Sequence, residues 1–144
     1  MSDKKNDAPS RDEKRMQELY MELNMANQQL NELQKQIQAL EETIQEIEES
    51  KKGLNEVSKA EKGKEILVPI VAGIFAKAEI KNSKEFIVNV GANTAVEKSI
   101  DDVQTLLDKQ LVQMQETQNM FIDNLQKLTV KAKSTEEELK ALMK

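Results

Sequence analysis

Histidine, cysteine and tryptophan are all absent from this 144-residue chain. Without histidine it lacks the commonest general base and the commonest metal ligand. Without cysteine it can form no disulfide and no reactive thiol, which fits a reducing compartment. Aromatic residues make up only 3%, namely Tyr20, Phe75, Phe86 and Phe121. So little aromatic volume argues against a thick spherical core. No apolar run approaches the roughly 20 residues needed to span a bilayer, and the start of the chain carries no cleavable-signal pattern. The expected location is therefore the cytoplasm, with no membrane partner. The net charge is −5, with acidic and basic residues interleaved. That leaves no basic patch for a phosphate backbone, so no nucleic-acid partner is expected. Gly63-Lys64 lacks the glycine-rich lead-in of a phosphate-binding loop. No carboxylates or lysines gather into a catalytic constellation, so the chain reads as a non-enzyme, with no catalytic residue, cofactor or metal site.

What is present is charge, at 33%, laid over a regular apolar spacing. That is the signature of long paired helices. Residues 1–9 (MSDKKNDAP) are polar and aperiodic and read as a disordered tail. The rest, 10–144, reads as a single domain. Ser10 and Glu13 make an S-x-x-E capping pattern that opens a helix over 10–58. Its seam is Met16, Leu19, Leu23, Ala26, Leu30, Leu33, Ile37, Leu40, Ile44, Ile47 and Leu54, with Lys51 the one polar intrusion. Steps of three and four alternate without a slip, which implies a left-handed supercoil. The flanking positions are mostly amides rather than matched charges, so pairing with the chain's own second helix is favoured over a charge-selected partner.

The second helix spans 99–143, capped by Ser99 with Asp102 three residues on. Its seam runs Ile100, Val103, Leu107, Leu111, Met114, Gln118, Phe121, Leu125, Leu128, Ala132, Thr135, Leu139 and Leu142. The step from Leu107 to Leu111 follows another step of four, a stutter that relaxes the supercoil. Each helix would be roughly 70 Å long at 1.5 Å per residue. Two arms of matching length closing as an antiparallel coiled coil would bring both chain termini to its far tip.

Between the arms, residues 64–98 carry the β-branched residues and turn signals. Four strands are expected: Ile66–Val71, Phe75–Lys81, Glu85–Val90 and Thr94–Lys98. Ala72-Gly73 and Gly91-Ala92-Asn93 close two hairpins, with Asn82-Ser83 between them. Pro69 cannot donate to a ladder and belongs on an edge or at a bulge. The first strand is apolar on both faces, and an isolated hairpin is marginal. The fold class is thus α+β, a long antiparallel two-helix coiled coil with two central β-hairpins that assemble into a sheet or barrel between subunits. The alternative is a small internal sheet packed on the helix ends.

This order of elements, with I-L-V-P-I at Ile66 to Ile70, G-I-F-A-K-A-E-I at Gly73 to Ile80 and V-N-V-G-A-N at Val88 to Asn93, resembles the alpha class of the prefoldin family. The resemblance covers roughly Arg11 to Met143, its specificity lies in the hairpins, and two hairpins rather than one favour the alpha class. It implies a hexamer of two alpha and four beta subunits, whose hairpins form a double β-barrel platform carrying six coiled coils. It further implies an ATP-independent holdase whose tips hold non-native client proteins and pass them to a group II chaperonin.

On that reading the subunit contacts fall on Ile66, Leu67, Val68, Ile70, Val71, Ile74, Phe75, Phe86, Ile87, Val88 and Val90. The client-binding candidates near the termini are Met16, Leu19, Tyr20, Met21, Met25, Leu139, Leu142 and Met143. Methionine is flexible and polarisable, which suits weak contact with many unrelated apolar segments. Met16, Leu19, Leu139 and Leu142 have a second reading as residues that simply close the coil, whereas Tyr20, Met21 and Met25 lie off the seam. The competing function is a structural coiled-coil scaffold, including a filament-forming prefoldin relative.

Overall fold

A computed structural model of the chain describes residues 10–143. The stretch 1–9, read above as a disordered tail, and Lys144 lie outside the described residues. The element order is α1 (Arg11–Ser58), β1 (Glu65–Val71), β2 (Ile74–Glu79), β3 (Glu85–Gly91), β4 (Thr94–Ser99) and α2 (Ile100–Met143). The chain divides into two compact units, one joining the segment up to Glu41 with that from Glu116 onward, the other Glu42–Gln115.

In the first unit, α1 and α2 run antiparallel. Ser10 Oγ accepts the Glu13 N–H at 3.1 Å, so the Ser10 half of the capping pattern forms and α1 begins at Arg11. Leu19, Ala26, Ala132, Thr135 and Leu139 are buried, and the other expected seam residues in this unit are half-buried. Gln118 Nε2 donates to Glu41 Oε2 across the pair at 2.9 Å. Counting outward along both helices from that contact brings Ala26 level with Ala132 and Leu19 level with Leu139, within one residue. Toward the chain ends, Arg15 donates to Glu138 at 3.0 Å and 3.1 Å.

In the second unit the seam continues through buried Ile44, Ile47 and Val103. Lys51, the polar intrusion in the seam, is half-buried and ion-paired with Asp108. Its carbonyl accepts the Gln104 side-chain amide at 3.3 Å. Asp108 lies just past Leu107, at the stutter, so the relaxed stretch of α2 places an ion pair beside its half-buried seam leucine.

Strands β1 and β2 pair antiparallel, as do β3 and β4, each as a separate two-stranded sheet. β2 begins one residue earlier than expected and ends at Glu79 rather than Lys81. The earlier end follows from a bulge: Gly63, at φ 88°, donates its N–H to the Ile80 carbonyl at 2.7 Å, and the Ile80 N–H donates to the Lys64 carbonyl at 2.9 Å. Ile80 is thereby turned inward and buried, and Lys81 falls in the linker.

Ala92 and Asn93 both adopt positive φ, 49° and 59°, as a two-residue type I′ turn requires. Asn tolerates this region, but Ala does so at a cost. Ala92→Gly should therefore raise stability by about 0.5–1 kcal/mol, the left-handed penalty relieved minus the extra glycine entropy. Gly91→Ala should act in the opposite direction, because Gly91 is held at φ 106°. An added Cβ there meets nothing within 4 Å, so its cost is purely backbone strain. Urea midpoints at matched protein concentration test both signs.

Lys84 ties the hairpin region to the helix ends. Its N–H donates to Asn82 Oδ1 at 2.9 Å and its carbonyl accepts the Ile100 N–H at 3.1 Å. Its Nζ donates to the Ser58 carbonyl at 2.7 Å. α1 has no basic residue in its own last turn. Lys84 thus supplies from elsewhere in the chain the cation that a helix C-terminus favours. Ser99 ends β4 opposite Glu85 and also caps α2, accepting the Asp102 N–H at 3.2 Å.

Candidate functional site

Among the described residues two apolar surfaces remain uncovered, and each is assembled from residues that the sequence pattern singles out. The first is on the hairpins. β1 and β2 are in register with Ile66 opposite Ala78, Val68 opposite Ala76, Leu67 opposite Lys77 and Pro69 opposite Phe75. Alternation therefore sets Ile66 and Val68 on one face and Leu67 with Pro69 and Phe75 on the other. Leu67, Val68, Ile70, Val71, Ile74 and Phe75 are all exposed. In the second hairpin Phe86 and Val88 are half-buried, while Val90 is exposed and Ile87 is 75% exposed. Ile66 is also half-buried.

Both sheets are two-stranded, so every strand keeps one unpaired edge. Exposed edges beside exposed aliphatic faces are a template for pairing with another chain. The Ile80–Lys64 bond makes that pair a hydrogen-bonded one, so by alternation the Pro69–Phe75 pair turns its backbone groups outward. The missing N–H of Pro69 thus breaks nothing inside the hairpin. It blunts only the outer edge of β1.

The second surface is at the open end of the first unit. Leu19 is 0% exposed and Leu139 is buried, which assigns both to the seam, while Met16 and Leu142 are half-buried there. Tyr20, Met21, Met25 and Met143 are exposed, with Met21 at 66%. Tyr20 Oη donates to Met143 Sδ at 4.0 Å, linking the two helices on this surface. Met25 also lines a shallow groove with Ala26, Leu128, Lys131 and Thr135. Arg15, in contact with Glu138 and Glu18, borders the patch, and those two carboxylates hold its guanidinium proton more firmly still.

Several features escape sequence reasoning. The Arg15–Glu138 and Lys51–Asp108 pairs cross between helices, where the amide-rich flanks suggest no charge pairing. Lys84 carries no local signal beyond the preceding Asn82-Ser83. Val112, Met120 and Val130 are exposed on α2 outside the seam. Among the described residues no His, Cys, Asp or Glu cluster could hold a metal ion, and no helix is long and apolar enough to cross a membrane.

Comparison with known proteins gives these surfaces a context. Residues 26–144 match the family model described as Prefoldin subunit. The chain is 33% identical to prefoldin subunit alpha of Thermofilum pendens, over 60% of this chain and 67% of that protein. It is 52% identical to prefoldin subunit alpha 1 of Thermococcus kodakarensis over 37% of each chain. It is 43% identical to prefoldin subunit alpha of Pyrococcus horikoshii, over 46% of this chain and 45% of that one. The chain thus spans about two thirds of the first relative's length and under half of the other two. A filamentous PFD from Methanocaldococcus jannaschii, solved by cryo-EM, shares the fold at a TM-score of 0.74 and 18% identity, over 83% of this chain and 98% of that one. With two helices, two hairpins and a family match over most of its length, the chain belongs to the prefoldin family, in its alpha class.

Proposed function

We propose that this chain is the alpha-class subunit of an ATP-independent holdase. Its hairpins join those of beta subunits, two alpha with four beta, and its exposed apolar end captures non-native proteins for transfer to a group II chaperonin. It does no catalysis of its own and works in the cytoplasm. The observation that carries this reading is the pair of uncovered apolar surfaces with unlike chemistry. The hairpin surface is made of stiff β-branched and aromatic side chains on open strand edges, which suits one fixed partner. The Tyr20–Met21–Met25–Met143 surface is mostly flexible thioether, which suits many partners.

The test is suppression of aggregation of a chemically unfolded protein by the assembled complex. Tyr20→Ser, Met21→Ser and Met25→Ser combined should weaken capture about tenfold or more, since losing about 1.4 kcal/mol of apolar contact already gives that factor. Helix content and particle mass should be unchanged, because all three side chains are exposed. Unaltered capture in the triple variant would move the binding surface elsewhere.

A second reading is self-assembly as a structural coiled coil, favoured by the fold shared with a filamentous PFD. Native mass of the chain alone, and then mixed with a beta-class subunit, separates the two. A hexamer only in the mixture supports the holdase subunit, and open-ended growth of the chain alone supports the filament.

A further inference from the structure

With no cysteine, histidine or tryptophan, the thioethers of seven methionines are the side chains of this protein most open to peroxide. Their placement is uneven. Met21, Met25 and Met143 are exposed around Tyr20, and Met120 is equally exposed but stands apart from that group on α2. Met16 and Met114 are half-buried in the seam. Met120 lies 23 positions from Met143 along one continuous helix, roughly 35 Å at 1.5 Å per residue.

We infer that Met21, Met25 and Met143 form an oxidation-sensitive site through which peroxide switches off capture of apolar segments. The inference rests on the capture reading above. In each step a thioether sulfur attacks one peroxide oxygen. The O–O bond breaks, a sulfur–oxygen bond forms, and the leaving oxygen departs as water (from hydrogen peroxide) or as an alcohol (from an alkyl peroxide). Sulfur is oxidised by two electrons and the peroxide is reduced by two. The flexible apolar side chain becomes a polar, chiral one, so the surface loses the property that suits it to unrelated apolar partners.

Met143 adds a second effect. Its sulfur is a weak acceptor, held by the Tyr20 hydroxyl at 4.0 Å. A sulfoxide oxygen accepts far more strongly, so the Tyr20 hydroxyl becomes tied to it and the ring is held from free contact. The seam is spared because Met16 and Met114 are partly shielded and its other residues are not oxidisable thioethers. The helices therefore stay paired while the surface changes.

The assembled complex is treated with hydrogen peroxide. Sulfoxide is located by peptide mass spectrometry, and aggregation suppression is measured before and after. Expected are rapid oxidation of Met21, Met25, Met120 and Met143, slow oxidation of Met16 and Met114, and roughly fivefold weaker capture with helix content retained. The variant Met21→Leu/Met25→Leu/Met143→Leu, compared with its own untreated sample, should keep its capture undiminished after peroxide. Met120→Leu should lose it as the wild type does. A methionine sulfoxide reductase should restore the wild type. Undiminished capture by wild type oxidised at all three positions overturns the inference, as does equal loss in the triple leucine variant. If the untreated wild type does not suppress aggregation, it is the capture reading that fails.

Discussion

Replacing Val68 by aspartate releases smaller particles whose helices are still paired. Val68 is in the middle of β1, opposite Ala76, and its side chain is uncovered in the single chain, at 38% exposure. In a lone subunit the new carboxylate would reach water, so folding costs little. In an assembly that buries this face, it would enter an apolar contact with no cation opposite. Burial of an unpaired charge costs several kcal/mol even after relaxation, and about 2.7 kcal/mol already weakens association a hundredfold. Native mass spectrometry should show loss of the largest species at concentrations where the wild type is fully assembled. Far-ultraviolet circular dichroism should keep most of its helical signal, since Val68 lies on β1, outside the helix seam. Val130→Asp is the matched control: it is an exposed valine on α2, and its replacement should leave the mass unchanged. Loss of helix in the Val68 variant would mean that this face is covered within the chain after all.

The contrast between helices and hairpins explains what the sequence could reveal. A coiled-coil seam is a one-dimensional code, because side-chain direction follows from spacing alone. Every residue from Met16 to Leu142 expected in the seam is indeed buried or half-buried. Hairpin position was equally legible, since Gly73, Gly91 and Asn93 mark turns whose backbone needs positive φ. Strand ends were not. The shift at β2 depends on a bulge made by Gly63 against Ile80, a contact across 17 positions that no local pattern encodes. The same holds for Lys84 reaching Ser58, and for Arg15 reaching Glu138. Of the apolar residues near the chain ends, heptad phase alone separates buried Leu19 and Leu139 from exposed Tyr20, Met21 and Met25. What phase cannot provide is the Tyr20–Met143 contact, which depends on how far α1 and α2 overlap.

Leu19→Ala should open the end of the helix pair without melting the rest. Among the described residues Leu19 is the one large side chain with no exposure at all, and deleting most of a buried leucine costs about 2–5 kcal/mol, depending on collapse of the cavity. Collapse is hard to achieve here. Inward of Leu19 the seam passes half-buried Leu23 and then narrows through Ala26, Ala132 and Thr135, small residues that offer little volume to refill the space. Outward lie only half-buried Met16 and Leu142. The terminal layer is thus joined to the main apolar seam by a weak neck. A helix end cut off in that way opens locally once its own contacts fall below the ordering cost of a few turns, and the global transition then registers only part of the loss. Amide hydrogen exchange should consequently accelerate over residues 11–25 and 133–143. Protection should persist around Ile44, Ile47 and Val103, where the seam is buried. Met21→Ala, removing an exposed side chain from the same turns, should leave exchange nearly unchanged. Acceleration spread evenly along both helices would instead show that the pair opens as one cooperative unit and that the small-residue neck has no mechanical consequence.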